Sequence, residues 1–242
     1  MKNIELRFDP ELADFFRIES RIRYPLHRRA SIKDIIEALG VPHTEVGEIL
    51  VDDRPESFNL IPGTGQKINV RAVQAPFDIS QPGLLRRRSF KTMRFLVDVN
   101  VGKLAPMLRM MGYDALFEST LKDKEIALLA HDQKRVVLSR DRGLLKQSLI
   151  EYGRLVRSQE PDRQLREITR FFGLNCRKMF SRCLSCNHLL KNVEKKQIAH
   201  RLEPKTKKYF SRFSMCPGCD RIYWPGSHWE KMNDLLKIAG IC

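Results

Sequence analysis

The chain has 242 residues, enough for two or three compact domains that fold without covalent staples. Lys and Arg outnumber Asp and Glu by 44 to 29, and the resulting net charge of +15 points to a polyanionic partner. Six cysteines without a signal-peptide pattern argue against a secreted disulfide framework, and no apolar run reaches the roughly 18 residues of a membrane span. The expected protein is therefore cytoplasmic, with reduced thiols and no membrane partner.

The charge is unevenly spread. Residues 1–88 hold 14 basic and 13 acidic side chains, residues 89–175 hold 16 and 11, and residues 176–242 hold 14 and 5. The chain opens with an alternating strand, Asn3 to Phe8, that puts Ile4, Leu6 and Phe8 on one face. Ser31 is an N-cap candidate for a helix carrying Ile32, Ile35, Ile36 and Leu39 and ending at Gly40. Strands are predicted at Glu48–Val51, before the turn Asp52–Pro55, and again at Lys67–Val73. This order suits a small β-grasp (ubiquitin-like) domain over residues 1–75. Pro76, Pro82, Gly83 and the run Arg86-Arg87-Arg88 lack periodicity, so residues 76–92 read as a linker with solvated arginines.

Residues 93–175 alternate strand and helix. Strands are predicted at Phe95–Val97, Tyr113–Phe117, Arg135–Ser139 and Gly153–Arg157. Helices carry Leu104, Ala105 and Leu108, then Ile126, Leu129 and Ala130 after a start near Thr120, then Leu144 to Tyr152, then Leu165, Ile168 and Phe172. Repeated βα units imply a mainly parallel sheet with helices on both faces. Asp98 and Asp141 each follow an apolar strand and so reach the carboxyl edge of that sheet, where open α/β sheets build their sites. Asp123 lies in the first turn of a helix, where an acid also suits the helix dipole. Asp98 could cap the helix after it, or Asn100 could do so and leave Asp98 free. Converging carboxylates need a hard cation such as Mg²⁺ or Mn²⁺, which would activate water against a phosphodiester, with Arg140 and Arg142 beside the acid to meet substrate.

Residues 176–242 contain two CxxC knuckles, Cys183/Cys186 and Cys216/Cys219, the spacing at which paired thiolates share one tetrahedral zinc ion in a ribbon. The alternatives are redox dithiols or a site that includes His188. Cys176 and Cys242 remain as free thiols. Basic and aromatic residues interleave around the knuckles: Lys195, Lys196, Lys205, Lys207, Lys208, Tyr209, Phe210 and Arg212 suit a phosphate backbone and unpaired bases. Phe213 joins them as a base-contact candidate, while Trp224 and Trp229 read as packing residues.

The segments FLVDVNVGKLAPMLRMMGYDA, KDKEIALLAHDQKRVVLSRDRGLL, QLREITRFFGL, RCLSCNHLL and MCPGCDRIYWPGSHWEKM resemble the Mut7-C family, PIN-like ribonuclease domains with a fused zinc ribbon. IKDIIEALGVPHTEVGEILVD resembles the ubiquitin-like domain that precedes many of them. The resemblance implies a PIN-like α/β domain and a metal-dependent RNase activity, with Asp98, Asp123 and Asp141 on the family's acidic positions. The fourth acid usual in PIN nucleases is missing after Asp141, which is followed by Arg142-Gly143-Leu144-Leu145. The ubiquitin-like region has no free Gly-Gly tail and reads as a docking module for a protein partner. The resulting expectation is a metal-dependent ribonuclease whose basic ribbon grips RNA. The alternative is a non-catalytic RNA-binding or ribonucleoprotein assembly factor on the same fold.

Overall fold

The computed structural model describes residues 2–13, 15, 20–176 and 178–238. The N-terminal unit contains β1 (Asn3–Phe8), α1 (Pro10–Ala13), β2 (Arg21–Pro25), α2 (Ile32–Ala38), β3 (Val46–Val51), β4 (Arg54–Pro55) and β5 (Lys67–Ala72). Its sheet order is β2-β1-β5-β3-β4, with β1 and β5 parallel at the centre, the arrangement expected of a ubiquitin-like fold. Ile4, Leu6 and Phe8 of β1 are buried on one face, against Ile32, Ile35 and Ile36 of α2. The predicted start of α2 is a full capping box: Asp34 N donates to Ser31 Oγ at 3.2 Å, and Ser31 N donates to Asp34 Oδ2 at 3.2 Å. Strand β2 is absent from the sequence reading. It is a sheet edge, so Ile22 and Tyr24 are only half-buried among three polar or turn residues, and the apolar alternation is weak.

The central unit runs β6 (Arg94–Val97), α3 (Leu104–Met110), β7 (Asp114–Phe117), α4 (Asp123–Gln133), β8 (Val136–Ser139), α5 (Arg142–Leu145), β9 (Gly153–Leu155) and α6 (Pro161–Phe172). All three strand pairings are parallel, in the order β7-β6-β8-β9. The chain leaves β6 toward one side for β7 and returns to the other for β8, so the switch point lies between β6 and β8. The helix predicted over Leu144 to Tyr152 is one turn only. Beyond it the backbone continues in turns, with Gln147 N bonded to Leu144 O and Ile150 N to Gln147 O, and the segment is tied to the ubiquitin-like unit where Lys146 Nζ donates to Glu37 O at 2.6 Å and Ile150 O meets His43 Nε2 at 2.8 Å.

Residues 76–92 contain no helix or strand, yet the arginines there are not all solvated. Arg86 is buried: its guanidinium donates to Val46 O (2.9 Å), Thr44 O (2.8 Å), His43 O (3.3 Å) and Glu151 O (3.2 Å). Burial drives its pKa down to about 10, leaving it charged at neutral pH. Ile79 and Phe90 are buried as well, and one apolar cluster runs from Ile4 through Ile126 to Leu155, so the first two units share a core.

The C-terminal unit contains β10 (Lys191–Val193), α7 (Lys195–Ile198), α8 (Pro204–Tyr209), β11 (Phe213–Met215), β12 (Ile222–Tyr223) and α9 (Ser227–Ile238). The first two strands are antiparallel, as are the last two, in the order β10-β11-β12.

Candidate functional site

At the switch point, Asp98 follows directly on β6 and β8 ends in Ser139, two residues before Asp141. Asp98 is buried, and its carboxylate accepts three short bonds: from Val99 N on Oδ1, and from Asn100 Nδ2 and Ser139 Oγ on Oδ2, each at 2.6 Å. Asp98, not Asn100, caps the turn Val99–Val101. Asn100 bridges the strands, since its Oδ1 accepts from Arg140 N at 3.0 Å. Asp141 N donates to Ser139 Oγ at 2.8 Å, while Asp141 Oδ1 accepts from Gly143 N (2.6 Å) and Leu144 N (3.4 Å), capping α5. Asp98, Ser139, Asn100 and Asp141 therefore form one hydrogen-bonded network across the mouth of the sheet.

Asp123 does not join them. It is exposed at the first position of α4, beside Lys122, whose backbone N–H donates to Glu125 Oε2 at 2.8 Å. Among the described residues, the group of three or more His, Cys, Asp or Glu ligand atoms within 4.8 Å of one another is the four cysteines, not the aspartates. Donor capacity remains at the pair: Asp98 Oδ1 holds one partner, and Asp141 Oδ2 has none among the described residues. Arg140 is exposed nearby, whereas the Arg142 guanidinium lies 4.9 Å from the Phe15 ring centroid and donates to Phe15 O at 3.4 Å.

The sulfurs of Cys183, Cys186, Cys216 and Cys219 lie within 4.8 Å of one another, with 3.5 Å from Cys183 to Cys219 and 3.2 Å from Cys186 to Cys216. Zinc–sulfur bonds of about 2.3 Å in a tetrahedron put sulfurs roughly 3.8 Å apart, so the four fit a tetrahedral ion such as zinc. The two knuckles repeat one local design. Cys183 N donates to His188 O and Asn187 N to Cys183 O; Cys216 N donates to Arg221 O and Asp220 N to Cys216 O, all between 2.8 and 3.0 Å. Each turn closes through a left-handed residue, Asn187 (φ 71) or Asp220 (φ 55), types that tolerate that conformation. Gly218 lies close against His188: a Cβ there would sit 2.5 Å from His188 Nδ1, so the ring would have to move aside. His188 Nδ1 in turn lies 3.4 Å from Cys186 Sγ, so His188 flanks the four sulfurs.

Backbone amides point at the sulfurs: Cys186 N to Cys183 Sγ and Gly218 N to Cys216 Sγ, both at 3.4 Å. Leu184 N donates to Tyr223 Oη at 3.2 Å, which directs the phenol hydrogen to Cys183 Sγ at 3.1 Å. Burial alone raises the Cys183 thiol, but the Tyr223 hydroxyl and the Cys186 amide outweigh it and bring it down to about 6. Cys176 is disulfide-bonded rather than free; Cys242 lies outside the described residues.

The remaining sequence candidates sit on the ribbon's surface. Lys195 is half-buried on α7, and Lys196 pairs with Glu194 at 2.6 Å. Lys205, Lys207 and Lys208 are exposed on α8, and Tyr209 is 70% exposed with Lys208 Nζ 5.3 Å from its ring. Phe210 is half-buried and Arg212 exposed. Phe213 is buried, while Trp224, read as packing, is 38% exposed.

Sequence reasoning missed the joint between the ribbon and the central sheet. Buried Arg109 on α3 donates to Ala115 O (2.9 Å) and to Leu184 O and Ser185 O of the first knuckle (2.8 and 2.7 Å). Asn187 completes the seam, accepting from Ala115 N at 3.2 Å and donating to Asp114 Oδ1 at 2.8 Å. An arginine among apolar helix positions was the available signal, since an unpaired buried charge is costly.

A parallel α/β sheet with two acids at its switch point is thus joined to a four-cysteine ribbon. The Mut7-C RNAse domain family matches residues 93–236 and the Mut7-C ubiquitin family matches residues 1–78; the chain belongs to the Mut7-C family. No curated protein and no solved structure matches it.

Proposed function

We propose that the protein is a metal-dependent ribonuclease that hydrolyses RNA phosphodiester bonds at the Asp98–Asp141 edge. The observation that carries the reading is the network of Asp98, Asn100, Ser139 and Asp141 at the switch point of a Mut7-C RNAse domain. Asp98 and Asp141 are the residues that would hold Mg²⁺ or Mn²⁺, with Asp123 on the same edge as an outlying third acid. Such an ion supplies an activated water and stabilises charge developing on the phosphate. Ser139 and Asn100 fix the Asp98 carboxylate, so that it meets substrate without reorganising. Arg140 would contact the RNA backbone beside the cut, and the lysines of α7 and α8 with Arg212 would hold RNA further along. The four cysteines would hold one structural zinc. The ubiquitin-like unit is the natural place for a protein partner to dock.

A second reading is favoured by the three short bonds already made by Asp98 and by the separation of Asp123: a non-catalytic RNA-binding or ribonucleoprotein assembly factor. Incubating the full chain with single-stranded and structured RNAs in Mg²⁺, Mn²⁺ or chelator separates the two. The enzyme reading expects metal-dependent cleavage that Asp98→Asn abolishes with RNA affinity unchanged. Intact RNA in every condition, with binding retained, gives the protein to the second reading.

A further inference from the structure

A cleft of about 610 Å³ opens between the ribbon sheet and the start of α9, away from the acidic edge. Two ring pairs line it. Phe213 and Trp224 have centroids 6.5 Å apart, and Phe180 and Trp229 lie at 5.0 Å and 35°. Asn192 and Ser214 add polar groups to the lining, with Ser214 Oγ donating to Asn192 Oδ1 at 3.3 Å. Arg182 and Arg212 supply positive charge, and no Asp or Glu among the described residues lines the cleft. Arg182 is held by Gly112 O and Asn187 O and pairs with Asp114 at 3.9 Å, whereas exposed Arg212 has no polar partner among the described residues.

An apolar slot with half-exposed indole, an amide on its wall and the uncompensated cation of Arg212 is complementary to a flat, polar-edged group attached to an anion. We propose that this cleft receives an unpaired base of single-stranded RNA, stacked on Trp224, with Arg212 meeting the adjoining phosphate. The inference rests on the RNA-directed reading above and adds a specific base site to it. Asn192 offers its free amide hydrogens to the edge of the base. Duplex RNA, whose bases are already stacked, has nothing to insert.

Both tryptophans of the chain line this cleft, so intrinsic indole fluorescence reports on it alone. The test titrates the full chain with a short fluorescein-labelled oligouridine, an abasic oligomer of equal length and a duplex of equal length, following indole emission and label anisotropy together. Saturable quenching by oligouridine and none by the other two is the expected result. Trp224→Ala should weaken oligouridine binding about 5- to 150-fold, the range for loss of one stacked base, and Trp224→Phe should restore most of it. Zinc content identical to the parent establishes that the ribbon of each variant is folded. Binding by anisotropy without quenching, and unaltered by Trp224→Ala, overturns the cleft while leaving RNA binding intact. Absence of binding by either signal overturns the RNA reading and the cleft with it. A Trp224→Ala variant that binds oligouridine like the parent but loses self-association in sedimentation assigns the cleft to a second copy of the chain and overturns the proposal.

Discussion

The four-cysteine cluster and the acidic sheet edge differ in how their ligands are brought together. At the cluster, each pair of thiols comes from one tight turn closed by its own backbone bonds and a left-handed Asn or Asp, and only two such turns have to meet. At the edge, each acid arrives from a different βα unit, so convergence depends on strand register, helix placement and local caps. The cysteine sulfurs lie within 4.8 Å of one another, whereas the aspartates form no such group. Asp98 and Asp141 spend part of their acceptor capacity on Val99, Asn100, Ser139, Gly143 and Leu144. A local turn can preorganise soft ligands by itself; a sheet edge organises hard ligands only as well as the whole domain folds.

The largest way to break this contrast is to remove the metal from the cluster. Structural zinc contributes on the order of 10 kcal/mol to small ribbons, so chelation or Cys183→Ser should unfold residues around β10 to β12. Because Leu184 and Ser185 are bonded to Arg109, protection from hydrogen exchange should also fall at β7, while β1 to β5 stay protected. Exchange mapped by mass spectrometry checks this, and unchanged protection across the ribbon would mean that the cysteines staple nothing. A smaller effect comes from the seam itself. Arg109→Met leaves three carbonyls short of a donor, that of buried Ala115 among them, and should cost about 3 kcal/mol in urea unfolding, with the metal content unchanged because all four sulfurs remain. Loss of metal in that variant would show that the knuckle depends on the sheet for its geometry.

Legibility followed the same divide between local and distant causes. The capping box at Ser31, the alternation of β1 and both knuckles are set by residues a few positions apart, and each was readable. The short α5, the edge strand β2 and the burial of Arg86 were not. Lys146, Ile150 and Arg86 find their partners at Glu37, His43, Thr44 and Val46, in another unit, and no periodicity encodes such a contact. At the acidic edge, topology placed Asp98 and Asp141 on the correct side of the sheet. It left open whether Asp98 or Asn100 would serve as the cap, and it could not foresee that Asn100 would span to Arg140.

The finest test of the contrast changes one hydroxyl. Tyr223, on a strand beyond the second knuckle, receives a bond from Leu184 N and would hand its own hydrogen to a Cys183 thiolate, so it joins the backbone of the first knuckle to that knuckle's own ligand atom. In Tyr223→Phe the ring still fills its space, but the sulfur loses a donor and Leu184 N loses an acceptor. Partners of this kind typically change metal affinity 10- to 100-fold. We expect a value near the lower end, about tenfold, since the amides of Cys186 and Gly218 still point at the sulfurs. Competition against a chromophoric zinc chelator measures it directly. An affinity equal to the parent's would make the two turns self-sufficient, as their backbone bonds alone suggest. A tenfold loss would show that even the locally built site draws on the sheet, and so differs from the acidic edge in degree.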